Sequence, residues 1–121
     1  MKTSFFHDCV FVIDEKKIYY TKGGLDYKKL NEYTKYFGNL TVFTRGRNIK
    51  IDDDKNKMTI ASTSNVTFKS ISKFNFISLW FGNVRKEIRK TVQDSDFIII
   101  RMPSFIGHIA IKECKKMKKI I

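Results

Sequence analysis

The residue types that could do chemistry fall in a few short stretches. Gly23-Gly24 lies between extended sequence and a predicted helix. Glycine lets a backbone approach a phosphate closely, and a following helix directs its N–H groups at the same spot. A plain turn needing positive φ explains the pair equally well. The pattern Gly-x-Gly-x-x-Gly is absent, so dinucleotide binding by this chain alone is not expected. Arg101 follows an apolar run and could pair with an acceptor phosphate or a departing diphosphate, the bland alternative being a surface salt bridge. Ser104 reads first as a helix cap and second as a ligand contact. Arg45 ends a run of its own, and the same logic applies to it. His7 and Asp8 could form an acid–base pair, although a satisfied hydrogen-bonded pair is the simpler reading. Tyr19 and Tyr20 could stack on a sugar or simply pack. Asp52 to Asp54 reads as a solvated loop, because three adjacent carboxylates cannot all face one ion in a regular strand. Cys9 and Cys114 read as reduced, buried thiols. With His7 and His108 they show no Cys-x-x-Cys or His-x-x-x-His spacing, so no metal site is expected.

Alternating strands and helices must position these residues. Ser4 to Ile13 reads as a strand followed by a second extended piece, broken at His7-Asp8. A turn at Asp14 to Lys17 leads into Ile18 to Thr21, completing a small hairpin. A helix starts at Asp26 as cap, carries Leu30, Tyr33 and Phe37 on one face, and closes at Gly38. Leu40 to Thr44 is the next strand, ending at Arg45-Gly46-Arg47. Val66 to Phe68 is a short strand. Asn83 to Val92 is a helix with Val84, Ile88 and Val92 inward, its start lying as early as Ser78. Phe97 to Ile100 is apolar at every position and so must be covered on both faces, the mark of a central parallel strand. Pro103 holds Met102 extended and can open a helix whose inner face is Ile106, Ala110, Cys114 and Met117. Lys119 to Ile121 reads as the start of another strand. The predicted fold is α/β, a Rossmann-like open parallel sheet with flanking helices, with ligands at the carboxyl ends of its strands.

At 121 residues, 42% of them hydrophobic, the chain is long and apolar enough for one domain with a real core. No apolar run approaches a membrane span, and Asp8 interrupts any signal-peptide pattern, so a cytoplasmic location is expected. The net charge of +12 admits nucleic acid, an anionic membrane or lysine-rich coding bias. Only five arginines are present, at 45, 47, 85, 89 and 101, and arginine is the better residue for bidentate phosphate and base contacts. Nucleic acid is therefore disfavoured, while peripheral contact with the inner membrane face stays open.

The order of four pieces resembles the N-terminal domains of family 4-like bacterial glycosyltransferases that build surface polysaccharides. These are the strand near His7-Asp8 with Tyr19-Tyr20-Thr21-Lys22-Gly23-Gly24-Leu25; Tyr33 to Gly38 leading into Leu40 to Arg45; Val66-Thr67-Phe68; and Asp94 to Ser104 with Gly107 soon after. The resemblance covers nearly the whole chain and rests on the combination, since no single motif is specific. It implies one half of a GT-B fold: a single acceptor-side domain over residues 1–121, truncated before the domain that binds the nucleotide sugar and carries a paired-glutamate motif. It implies a glycan or lipid-linked acceptor, no cofactor, retention of configuration, and little catalysis by this half alone. A fragment, a truncated gene product and one half of a split enzyme all fit. The substrate-binding residues it implies are Gly23, Gly24, Arg45, Arg101 and Ser104. The competing reading is a small basic module that binds nucleic acid or an anionic membrane without catalysis.

Overall fold

The computed structural model describes residues 2–71 and 82–117. The expected helix starting near Ser78 and the expected strand at Lys119 to Ile121 fall wholly or partly outside those residues. Six strands form one sheet: β1 (Thr3–Ile13), β2 (Tyr19–Thr21), β3 (Leu40–Asn48), β4 (Thr59–Ile60), β5 (Val66–Ile71) and β6 (Phe97–Ile100). Among the described residues three helices cover it: α1 (Tyr27–Phe37), α2 (Asn83–Asp94) and α3 (Phe105–Met117). A 3-10 turn spans Lys55–Lys57.

The sheet is organised around β1. On one side β1 pairs with β3 in parallel along most of its length, and β3 pairs with β5 in parallel. On its other side β1 has two partners in succession. Thr3 to Phe6 pair with β6 in parallel, whereas Val12 and Ile13 pair with β2 antiparallel. β4 extends β2 antiparallel. The α/β open sheet expected from the sequence is therefore present, with an antiparallel flank added. β6 is covered on both faces as its composition demands, Ile98 and Ile100 on one side and Ile99 on the other. Among the described residues it pairs with β1 alone, so β1 occupies the centre that the sequence suggested for β6.

Alternation along β1 divides the core into two layers, because successive side chains leave opposite faces. Phe5 and Phe11 join Leu30 of α1, Leu40 and Val42. Phe6 joins Phe43 with Val84, Ile88 and Val92 of α2 and Ile106, Ile109, Ala110 and Cys114 of α3. The spacings predicted for all three helices match these buried faces. Asp26 caps α1 by accepting the N–H groups of Lys28 and Lys29, and Gly38 closes it at φ 80°. Between α2 and α3 lies a buried ion pair, Arg85 to Glu113 at 2.7 Å.

Two local readings are corrected. Ser4 to Ile13 is one strand whose irregularity lies at His7-Asp8-Cys9, where those three residues stand opposite Thr44 alone. β3 does not end at Arg45; it continues to Asn48 because Val10 to Ile13 extend the ladder past the bulge. Gly46 allows this passage. A Cβ there would lie 2.8 Å from Ser70 Cβ and 3.0 Å from Ile13 Cδ1.

Candidate functional site at the carboxyl edge of the sheet

The candidate site lies beside the end of β6, before the bulge in β1. β6 stops at Ile100 beside Phe6, and β2 does not join until Val12, so among the described residues β1 has no paired neighbour on that side in between. Gly24 and Leu25 lead from β2 into α1 above this gap. The result is a cavity of about 430 Å³ lined by Phe5, Leu25, Ile99 and Ile100, with Gly24, Lys29, Tyr33 and Arg101. Its lining is mostly apolar, with Lys29 and Arg101 as its cations. Phe5 and Tyr33 pack with ring centroids 5.3 Å apart. No carboxylate lines it, and neither Lys29 nor Arg101 forms an ion pair among the described residues. Two cations over an apolar base favour a ligand with an anionic group and an apolar or ring-shaped body.

Gly24 earns its place by absence of bulk. Neither Gly23 nor Gly24 has positive φ, and a Cβ on Gly24 would meet nothing within 4 Å. Backbone conformation does not require glycine there. A side chain at 24 would instead stand in open space beside the cavity.

The bulge residues are each satisfied separately. His7 Nδ1 accepts the N–H of Cys9 at 3.0 Å. Burial, then the nearby Arg101 charge, lower the His7 pKa, while Asp8 opposes them. Both effects keep the imidazole neutral, as an accepting Nδ1 requires. Burial pushes the Cys9 thiol up to about 11, with Arg101 opposing, so it is no thiolate nucleophile. Asp8 faces α3. Its carboxylate accepts Ser104 Oγ at 2.8 Å, Phe105 N–H at 2.6 Å and Ile106 N–H at 2.9 Å. Ser104 Oγ accepts Gly107 N–H at 2.8 Å, the helix-cap geometry. The N-terminus of α3 therefore already holds an anion, supplied by the protein itself. Gly107 lets α3 sit this close, since a Cβ there would lie 2.7 Å from Ile100 Cγ2.

Of the residues singled out from the sequence, Gly24 and Arg101 come together. Gly23 adjoins the cavity without lining it. Ser104 is buried in the α3 cap. Arg45 lies within β3, paired with Val10 and Ile71, and lines neither described cleft. Lys29 and Tyr33 complete the cavity. The sequence placed Tyr33 on the inner helix face and did not single out Lys29 for the site. Their i, i+4 spacing just after Gly23-Gly24 was the available signal.

The acidic loop also differs from its reading. Asp53 has a side chain only 6% exposed and takes both Arg47 nitrogens at 2.7 and 2.8 Å. Hydrogen bonding from Arg47, then from Lys50 N–H, holds its carboxyl well below the usual range. Asp14 is likewise enclosed. Ile18 N–H, the Lys55 ammonium and Lys16 N–H lower its pKa. A groove of about 460 Å³ lies at the opposite, amino edge of the sheet, lined by polar groups including Lys2, Asn39, Asn65 and Thr91. No cluster of three metal-ligating side chains occurs among the described residues, and no helix there is long and apolar enough to cross a membrane.

Fold and site together define an α/β domain with a mostly parallel open sheet and a cationic cleft at the carboxyl ends of its strands. The chain is 30% identical to Protein CapJ of Staphylococcus aureus over 122 aligned positions, a match that takes in 98% of this chain and 30% of that protein. The chain thus spans less than a third of the length of this relative. No family model matches the chain. No solved structure matches it either.

Proposed function

We propose that this chain is the acceptor-side, N-terminal part of a GT-B glycosyltransferase of surface polysaccharide synthesis. In this reading the cleft receives a glycan or lipid-linked acceptor. A part of the enzyme outside these 121 residues binds the nucleotide sugar, so this part alone has little or no transferase activity. The observation that carries the reading is the cavity shared by Gly24 and Arg101 at the carboxyl ends of parallel strands, where open α/β sheets bind ligands. The likeness to Protein CapJ along almost the whole chain supports it. Arg101 and Lys29 are the groups assigned to the acceptor's phosphate, and Phe5, Tyr33 and Ile99 to its sugar ring or lipid-proximal carbons.

Calorimetric titration with a prenyl diphosphate-linked monosaccharide tests this, with inorganic pyrophosphate as the anion control. The glycosylated ligand binds saturably and more tightly than pyrophosphate. Arg101→Gln weakens it by about tenfold, the loss of one charge-assisted contact. Equal affinity for the two ligands, or an Arg101→Gln variant that binds as the wild type does, would count against the assignment.

A further inference from the structure

The groove of about 460 Å³ at the amino edge of the sheet is built from residues that the carboxyl-edge cleft does not use. Ser4, Thr41 and Thr67 stand in register across β1, β3 and β5, so their side chains leave one face of the sheet as a row of hydroxyls. It is the face that α2 covers, and the row lies beside the last turn of that helix. Some of the hydroxyl protons here are spent within the fold. Ser95 Oγ donates to Thr91 O at 2.6 Å, so Ser4 is the donor in its bond to Ser95, and the Ser4 oxygen is left to accept. Thr91 Oγ1 donates to Glu87 O at 2.8 Å and accepts the Lys69 ammonium at 3.3 Å, which has N–H groups to spare. The side chains of Lys2, Asn39, Thr41, Asn65, Thr67 and Asp94 form no hydrogen bond among the described residues.

We propose that this groove binds an uncharged oligosaccharide of two or more rings. Donors and acceptors are interspersed along its lining, and every sugar hydroxyl is both. An anion would use only the donors. It would also meet Asp94 and the carbonyl end of α2, whose last turn carries no basic residue to offset them. Asp94 does nothing for its own helix, since a carboxylate is disfavoured at a C-terminus. In the groove it is a strong acceptor for sugar hydroxyls. The volume suits a ligand larger than one ring. Among the described residues no aromatic ring lines the groove, so hydrogen bonds rather than stacking set its affinity. The site is independent of what the opposite cleft binds.

Amide chemical-shift titration of the labelled chain tests it. The probes are maltose, cellobiose, lactose and N,N′-diacetylchitobiose, with glucose and inorganic phosphate as controls. At least one disaccharide shifts Thr41, Asn65, Lys69 and Ser95 saturably. Glucose binds there on the order of tenfold more weakly, having fewer contacts to offset its lost freedom. Phosphate leaves these residues unmoved. Asp94→Ala weakens disaccharide binding about tenfold, the loss of a charge-assisted contact. Asn39→Ala weakens it about fivefold. Both residues are exposed, so neither change threatens the fold, and the dispersion of the amide spectrum verifies this. Arg101→Gln, at the other edge, leaves disaccharide binding unchanged. No saturable shift with any of the disaccharides, equal affinity for glucose, or an Asp94→Ala variant that binds as the wild type does would overturn the proposal. So would disaccharide shifts gathered on Gly24, Lys29 and Arg101, or phosphate moving the amino-edge residues, the mark of an anion site.

Discussion

Two regions of this domain treat charge in opposite ways. On the antiparallel flank, where β2, β4 and the loop after β3 meet, cations are matched inside the fold. Arg47 is clamped to Asp53 and Lys55 to Asp14, and both aspartate side chains are almost wholly enclosed. At the carboxyl edge of the parallel strands, Lys29 and Arg101 border a cavity with no carboxylate in its lining. The nearby carboxylate, Asp8, is engaged instead by the N-terminus of α3. Charge on the flank secures a loop, and charge at the edge is, in the proposed reading, left for a ligand. A net excess of cations over a whole chain says little; which of them the fold has already paired says more.

The comparison is broken or sharpened most strongly by bulk added at two glycines. Gly107→Val places atoms against Ile100, Met102 and Ser104, so α3 cannot seat on β6. Overpacking of this kind costs about 3 kcal/mol, read as a lower urea midpoint. Gly24→Val, whose Cβ finds open space, leaves the midpoint unchanged while obstructing ligand binding at the cavity. Should Gly24→Val destabilise the domain as Gly107→Val does, the glycine is structural and the site loses a member.

Asp8→Ala comes next. It removes a carboxylate that accepts two backbone N–H groups and the Ser104 hydroxyl, leaving the first turn of α3 without its anion. The expected loss is about 2 kcal/mol by urea denaturation. A smaller loss with Asp8→Asn would separate the charge from the hydrogen bonds.

Arg47→Gln is the counterpart of the Arg101→Gln test. It lowers stability and leaves ligand affinity unchanged, whereas Arg101→Gln does the reverse. Both variants need one denaturation curve and one titration each. The same outcome in both would erase the distinction between the regions.

The smallest effect is in pH. The Asp53 pKa is lower in the folded chain than its ordinary value of 3.8. Its contribution to stability is therefore complete above that value and is lost as pH falls below it, because the unfolded chain takes up the proton first. Asp53→Asn flattens the decline of the urea midpoint below pH 3.8. His7 has the same sign, since its folded pKa is lowered from 6.5. Stability declines as pH falls below 6.5, and His7→Gln removes that part of the slope.

Much of the architecture was legible because it repeats a period. Leu30, Ile88 and Cys114 each sat on an apolar helical stripe, and Phe97 to Ile100 announced two-sided burial. The break at His7-Asp8 was legible, but its form as a bulge within one strand was not. Nothing in His7-Asp8-Cys9 states that three residues will face Thr44 alone; that follows from Val10 to Ile13 resuming the ladder with β3. The extent of β3 was hidden for the same reason, and with it the position of Arg45. Asp53 resembled its neighbours in sequence, and only the return of the chain past Arg47 distinguishes it. The site was half visible. Gly24 and Arg101 stand at breaks between elements, where ligands are expected, while Lys29 and Tyr33 line the cavity only because α1 packs over β1 and β6.

The most direct measurement is an amide chemical-shift map of the labelled domain titrated with the prenyl diphosphate-linked monosaccharide. The largest shifts should fall on Gly24, Leu25, Lys29, Tyr33 and Arg101, with β3 and the flank loop unmoved. Shifts centred on Lys2, Asn39, Asn65 and Thr91 at the amino edge, or none at saturating ligand, would contradict the account.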